Sequence, residues 1–92
     1  MTDLSEKITI GKISFDKDKF ILPGDKTIDI TEIECASVNT GIFLISSLTI
    51  LQKDGQKQSA NFPSKFNGEM KALVSAVMSK VYNLDEENGK ND

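Results

Sequence analysis

Histidine, arginine and tryptophan do not occur in this sequence of 92 residues, and all 11 basic side chains are lysines. The commonest general base and metal ligand is therefore missing, and so is the guanidinium that binds phosphate through paired hydrogen bonds. The six glycines are scattered along the chain and form no phosphate-binding loop. These absences argue against an enzyme, and we predict no catalytic residue, no cofactor and no metal ion.

Long apolar runs and a second cysteine are also lacking. The longest apolar stretch, at 42–51, has about ten residues, half of what a transmembrane helix needs. The first ten residues include an acid at position 3 and do not resemble a signal peptide. A single cysteine cannot form an internal disulfide, which is typical of a reducing compartment. We predict a soluble cytoplasmic protein in which Cys35 is a buried structural thiol.

The net charge of −3 comes from the end of the chain. Residues 85–92 contain four acids and one lysine, whereas residues 1–84 have ten charges of each sign. The body therefore has no overall field that would attract a nucleic acid or an anionic membrane, and nucleic-acid binding is not expected. We predict a single domain, 1–84, followed by an acidic disordered tail, 85–92.

Most of the chain has the alternation of apolar and polar residues that predicts β-strands. The parity of this alternation changes at Gly11, which indicates a sharp bend. The segment 42–52 is apolar and β-branched, which predicts a central strand buried on both faces for part of its length. Asp54-Gly55 predicts a two-residue hairpin turn before an edge strand at 56–62. Large core side chains are expected from Phe15, Phe20, Phe43, Phe62 and Phe66.

The period of the apolar residues changes after Pro63. Apolar residues then recur in steps of three and four, at Phe66, Met70, Leu73, Val77, Val81 and Leu84. This pattern predicts an amphipathic helix of about 16–18 residues, with Ser64 or Asn67 as its N-cap. The fold class is therefore mainly β with one C-terminal helix (α+β), built from five to seven antiparallel strands.

Four segments resemble those of the small bacterial pleckstrin-homology-like (PH-like) and GRAM-like domains. GKISFDKDKFILPG is similar to their first hairpin, and KTIDITEIECASV to their strand, short turn and next strand. LTILQKDGQKQSANF is similar to their late hairpin, and FNGEMKALVSAVMSKV to their closing helix. The resemblance covers roughly residues 7–83 and lies in patterns of residue class. It implies a PH-like split barrel or curved sheet capped by the helix, and binding rather than catalysis.

Lys12, Lys17 and Lys19 form the first candidate binding site. Phosphoinositide-binding PH domains have basic residues at this spacing in their first hairpin, although with arginine at the last position. Asp16 and Asp18 lie between the lysines and oppose their field. Since each lysine near an anionic surface contributes about 1 kcal/mol, little attraction would remain. The favoured interpretation is a solvated hairpin, and the alternative is a peripheral membrane or phosphoinositide-binding module.

The leading hypothesis is a non-enzymatic module that binds a protein or peptide, or a second copy of itself. In PH-like domains, the groove between a late strand and the C-terminal helix commonly receives peptides. Strand addition uses the backbone and needs no special side chains, so a polar edge strand is sufficient. The candidate residues for this edge are Gln56, Gln58, Ala60 and Phe62. Pairing of the same edge between two copies would give a homo-oligomer.

Overall fold

The computed structural model describes residues 4–41 and 43–89, with side chains described up to residue 84. In this part of the chain, seven strands are followed by one α-helix. The strands are β1 (Ile8–Ile10), β2 (Ile13–Asp16), β3 (Lys19–Leu22), β4 (Lys26–Asp29), β5 (Ile33–Asn39), β6 (Ile45–Gln52) and β7 (Lys57–Pro63). The helix α1 spans Asn67–Gly89, and short 3₁₀ helices span Ile30–Glu32 and Ser64–Phe66.

The strands form two antiparallel sheets. Sheet A has the order β1-β2-β3-β4, and sheet B has the order β5-β6-β7. The predicted class, mainly β with one C-terminal helix, is confirmed, and β6 is the central strand of its sheet as expected. The two sheets are not closed into a barrel, because no ladder of backbone hydrogen bonds joins them within the described residues.

The hairpins of sheet A are connected by residues with positive φ. The bend predicted at Gly11 is confirmed, since Gly11 has a φ of 61° and Ile10 pairs with Ile13 across it. Lys17 and Asp18 connect β2 to β3 with φ values of 51° and 61°. Two consecutive left-handed residues match the twist of the flanking strands, which explains a tight turn without glycine at this point.

The β6–β7 hairpin forms where Asp54-Gly55 predicts it, but its loop has three residues instead of two. Gln52 N–H donates to the Gln56 carbonyl at 2.8 Å, and Gly55 N–H donates to the Gln52 carbonyl at 2.9 Å. Gly55 has a φ of 92°, which a glycine adopts without strain. The Asp54 carboxylate also accepts the Gln56 N–H at 2.9 Å. This conformation is a turn followed by a bulge, the usual form of a three-residue hairpin loop.

The core lies between the sheets and α1, which packs mainly against β5. The predicted helical stripe is buried as expected at Met70, Leu73, Val77 and Val81. Each such side chain contributes roughly 1.5–3 kcal/mol by leaving water. No helix in the described part of the chain is both long and apolar enough to cross a bilayer.

The prediction that Cys35 is buried is wrong, because its side chain is exposed. The pairing of β5 with β6 shifts between Ile33 and Cys35, so that one extra residue is inserted at this point. A β-bulge of this kind changes which face the following side chains occupy. Ile33 is buried before the bulge, and Ala36 and Val38 pack against the core after it.

The prediction that the segment 42–52 is buried on both faces for part of its length is also wrong. Ser46, Leu48 and Ile50 are buried, whereas the intervening side chains of β6 are not, so only one face of this strand lies in the core. Phe43 was expected in the core, but 86% of it is exposed. Residue 42 lies outside the described residues.

The start of α1 differs from the prediction. The 3₁₀ helix that precedes it begins after Pro63 and has no side-chain cap. The Ser64 hydroxyl contacts Ser46 instead, and the Asn67 side-chain oxygen has no hydrogen-bond partner among the described residues. The helix backbone continues to Gly89, beyond the predicted 16–18 residues. The rest of the predicted tail, 90–92, lies outside the described residues, and the proposed disorder stays a prediction.

Candidate functional site

Strand β7 lies at the edge of sheet B, as the sequence predicts for 56–62. It pairs with β6 on one side, and among the described residues no strand pairs with its other side. An unpaired edge of this length is an open template for another strand. The helix α1 packs near β5, the opposite edge of the same sheet.

The direction of the β7 backbone groups follows from its hydrogen bonds to β6. The Gln52 N–H donates to the Gln56 carbonyl, and the Ser64 N–H donates to the Leu44 carbonyl at 2.8 Å. Because hydrogen-bonded residues alternate along an antiparallel pair, the even-numbered residues of β7 bond to β6. The backbone groups of the odd-numbered residues point away from β6. The free edge therefore consists of Lys57, Ser59 and Asn61, which each offer an N–H and a carbonyl.

The four residues predicted for edge binding are not the residues of β7 whose backbone groups are free. Ala60 and Phe62 are buried in the core. The Gln58 amide donates to Gln52 at 3.2 Å and accepts from the Lys26 ammonium at 3.4 Å, while Gln56 is exposed next to the loop. The side chains of Gln58, Ala60 and Phe62 thus anchor β7, and the backbone groups of the set face β6. Their role in binding stays a prediction, and the neighbouring residues carry the free groups.

Three consecutive apolar side chains, which we call the apolar tip, project into solvent before and at the start of β6. The exposed fractions are 86% for Phe43, 83% for Leu44 and 58% for Ile45. Scattered exposed apolar residues are common, but three in succession are typical of an interaction surface. The sequence did not predict this exposure, because an apolar β-branched run has the same pattern as a buried strand.

Hydrogen bonds at the base of the apolar tip fix its backbone. The Leu44 carbonyl accepts the Ser64 N–H, and the Phe43 carbonyl accepts the Ser64 hydroxyl at 3.5 Å. The Ser64 oxygen lies 2.9 Å from the oxygen of buried Ser46, which accepts the Gly41 N–H at 3.3 Å. This chain of bonds satisfies the buried hydroxyl and connects the tip to the end of β7.

A groove of about 440 Å³ lies between the apolar tip, the end of β7 and the β1–β2 turn. Its lining is mostly apolar, and it is formed by Gly11, Lys12, Leu44, Ile45, Asn61, Phe62 and Pro63. Gly11 allows the turn to approach β7 closely, since a Cβ atom there would lie 3.0 Å from the Pro63 ring. Lys12 is the charged residue of this lining, and Lys65 lies beyond it near Leu44 and Pro63.

The three candidate lysines are not brought together. Lys12 lies in the β1–β2 turn, and Lys17 lies in the turn at the opposite end of β2. The four residues of β2 separate them by roughly 13 Å or more. Binding by these lysines stays a prediction.

The acids around this hairpin lie opposite Lys19 in sheet A or form an ion pair with α1. Lys19 lies opposite Asp16 on β2 and opposite Asp29 on β4. The Asp18 carboxylate lies 2.6 Å from the Lys80 ammonium of α1. Hydrogen bonds from the backbone and side chain of Thr31, with a smaller contribution from Lys19, lower the pKa of Asp29.

Two acidic side chains at the first 3₁₀ helix have structural roles. Asp29 caps the first 3₁₀ helix by accepting the Thr31 N–H at 3.0 Å, and Glu32 accepts from Gln52 at 3.3 Å. No group of three potential metal ligands occurs in the described part of the chain.

A second groove of about 450 Å³ runs between β1 and the start of α1. The strand that borders this groove beside the helix is therefore the first strand of the chain and not a late one.

Comparison with protein-family models gave no match, and comparison with curated proteins gave none either.

Proposed function

We propose that this chain is a non-enzymatic interaction module that binds an extended protein segment by strand addition to β7. The observation that carries the proposal is the free edge of Lys57, Ser59 and Asn61, which leads into the groove beside the apolar tip. The backbone groups supply hydrogen bonds to any extended segment, and the groove supplies a contact for an apolar side chain. Binding at this place requires no catalytic group.

The apolar tip supports the same proposal energetically. Phe43 and Leu44 expose their side chains to water, while their backbone carbonyls accept hydrogen bonds from Ser64. Covering either side chain would contribute roughly 1.5–3 kcal/mol, about the lower range of a hot-spot residue in a binding interface. Lys12 lines the groove and gives its wall a positive charge. This charge favours an acidic or carbonyl group on the bound segment.

We further propose that the fold is PH-like and that the protein acts in the cytoplasm. The succession of four strands, three strands and one helix supports the first proposal, with an open arrangement of the sheets in place of a closed barrel. The single, exposed cysteine supports the second, because an exposed thiol persists most readily in a reducing compartment.

Selection of binders from a library of displayed random peptides tests the proposed function. Ser59→Pro removes an outward N–H and inserts a ring at the edge, while the bonds between β6 and β7 are kept. Ser59→Ala is the matched control, because it removes the hydroxyl and keeps the N–H. We expect the selected peptides to bind the native chain and the alanine variant and to lose affinity for the proline variant. Equal binding to all three would contradict strand addition.

A second candidate function is docking to an anionic membrane surface. The observation that favours it is the position of Lys12 and Lys65 on either side of the exposed Leu44. An apolar tip with flanking lysines suits the interface between lipid headgroups and acyl chains. The membrane hypothesis formulated for Lys12, Lys17 and Lys19 would then depend on Lys12 and on the tip.

A further inference from the structure

We propose that the segment which adds to β7 is β7 of a second copy of this chain, so that two copies form one continuous six-stranded sheet. The twofold axis of this dimer passes between the two Ser59 residues. The inference rests on the proposed function, because it names the occupant of the same free edge.

The distribution of free backbone groups selects this register. In antiparallel pairing, outward groups must face outward groups of the partner. With Ser59 opposite the partner's Ser59, Lys57 lies opposite the partner's Asn61, and all three outward N–H groups find outward carbonyls. The two copies then exchange six backbone hydrogen bonds, a number that follows from three donors on each edge.

The neighbouring registers leave groups unpaired. A shift in one direction places Lys57 opposite the partner's Pro63, which has no N–H to offer to the Lys57 carbonyl. A shift in the other direction places Asn61 opposite the partner's Gly55, whose N–H already bonds to the Gln52 carbonyl within the hairpin loop. The Ser59-centred register is therefore the one in which Lys57, Ser59 and Asn61 each use both their N–H and their carbonyl.

The side chains of the edge suit pairing with themselves. Lys57 and Pro63, residue types that protect exposed edges from association, lie at the two ends of β7 and leave its centre open. In the proposed register, Lys57 faces the partner's Asn61 rather than a second lysine, so like charges do not oppose each other. At the centre, two serines of small volume and no charge face each other.

In the same register, the β6–β7 loop of the partner lies beside the groove. Pro63 falls opposite the partner's Gly55, so the partner's Asp54 follows one residue from the mouth of the groove that Lys12 and Pro63 line. Lys12 and the partner's Asp54 have opposite charges, which provides complementarity at both ends of the dimer. The apolar tip, next to Pro63, borders the same contact.

Sedimentation velocity over a wide range of protein concentrations tests the dimer. We expect the native chain to sediment as a monomer when dilute and as a dimer when concentrated. Ser59→Pro should raise the dissociation constant at least tenfold, and Ser59→Ala should change it less than threefold. A native chain that is monomeric throughout, or a dimer that persists in the proline variant, would overturn the inference.

Disulfide cross-linking tests the register. In a Cys35→Ser background, Ser59→Cys places two cysteines in a hydrogen-bonded pair with Cα atoms about 5.5 Å apart, within the range that a disulfide spans. Asn61→Cys is the control, because the two copies of this residue lie about 13 Å apart along the strands. We expect rapid oxidation to a covalent dimer for the first variant alone. Faster cross-linking at Asn61 would overturn the Ser59-centred register.

The outcomes separate this inference from the proposed function. A monomeric chain that still binds selected peptides, and loses them on Ser59→Pro, would overturn the dimer and leave strand addition standing. A monomeric chain that binds no peptide would overturn both. A dimer that forms through Ser59 in the absence of any peptide binding supports both, since the second copy is then itself the added strand.

Discussion

The Lys80 ammonium lies 2.6 Å from the Asp18 carboxylate and joins α1 to the β2–β3 turn. The backbone carbonyl of Asp18 also accepts the Ile30 N–H at 3.0 Å, so this residue contacts both α1 and the start of the first 3₁₀ helix. Asp18 was expected to oppose the lysines of its own hairpin. Its pairing with Lys80 instead gives it a structural role that the sequence pattern did not indicate.

Breaking this ion pair should have a small effect on stability. The two side chains are 42% and 44% exposed, so water and salt screen their attraction. We expect Lys80→Gln to lower the free energy of unfolding by less than about 1 kcal/mol. A double-mutant cycle with Asp18→Asn, which keeps a residue that tolerates positive φ, should give a coupling near 0.5 kcal/mol in urea unfolding. A coupling above about 2 kcal/mol would mean that the pair is shielded from water.

Truncation of the buried stripe of α1 should be costly. Leu73 is 1% exposed, and its replacement by alanine leaves a cavity between the helix and the sheets. We expect Leu73→Ala to lower the free energy of unfolding by about 2–4 kcal/mol. Ser75→Ala, on the exposed face of the same helix, is the control and should stay within about 0.5 kcal/mol. Equal effects of the two changes would show that α1 does not cover the core.

The apolar tip should contribute to binding and hardly at all to stability. Phe43 and Leu44 are more than four-fifths exposed, so their replacement by serine removes little buried area. We expect the double change to alter the free energy of unfolding by less than about 0.5 kcal/mol. Phe62→Ala is the contrasting variant, because Phe62 is 2% exposed and its truncation should cost about 3–5 kcal/mol. A large loss at the tip would mean that it packs against the body of the protein.

The strands and the helix could be predicted from local patterns, because turn residues and apolar periods act over a few neighbours. Gly11 and Gly55 have positive φ at bends that the sequence indicated. The exposure of Cys35 depends on where a bulge is inserted, which is decided by the pairing of β5 with β6 over a long stretch.

The candidate site was harder to predict than the fold. The sequence indicated an edge strand, but the residues named from it were those whose side chains face the core. Alternate residues of β7 bond to β6, and the others have free backbone groups. Composition gives no information about which of the two sets is free. The tip at Phe43 was missed because an apolar residue beside a strand is buried more often than exposed.

The cap formed by Asp29 should make a pH-dependent contribution to stability. Hydrogen bonds from Thr31 lower the pKa of the Asp29 carboxyl below its usual value of 3.8. A lowered pKa in the folded state means that the contribution is present above the usual value and is lost as the pH falls through the folded pKa. We expect Asp29→Ala to cost about 0.5–1 kcal/mol at neutral pH and less in acid.

Urea unfolding of the native chain and the alanine variant at several pH values measures this difference, since the other carboxyl groups contribute equally to both. Asp29→Asn is the control, because an amide oxygen can still accept from Thr31 but does not titrate. The difference between native and asparagine chains should also shrink in acid. A cost of Asp29→Ala that grows as the pH falls would contradict the lowered pKa.

Replacement of Lys12, Lys17 and Lys19 by glutamine separates the two candidate functions. If the module binds protein segments, the triple variant should change the free energy of unfolding by less than about 1 kcal/mol, because exposed charges are screened. The native chain should then remain in the supernatant with vesicles of anionic lipid at low salt.

Docking to a membrane predicts the opposite result for the same vesicles. The native chain would sediment with them, added salt would weaken the association, and the triple variant would lose it. Because the structure separates Lys12 from Lys17 by the length of β2, Lys12→Gln combined with Leu44→Ser should then cause most of the loss. A variant with three other exposed lysines replaced, Lys26, Lys57 and Lys71, has the same net charge and is the control. Equal loss in this control would indicate attraction by net charge alone, and sedimentation that survives every change would exclude both the lysines and the tip as the membrane contact.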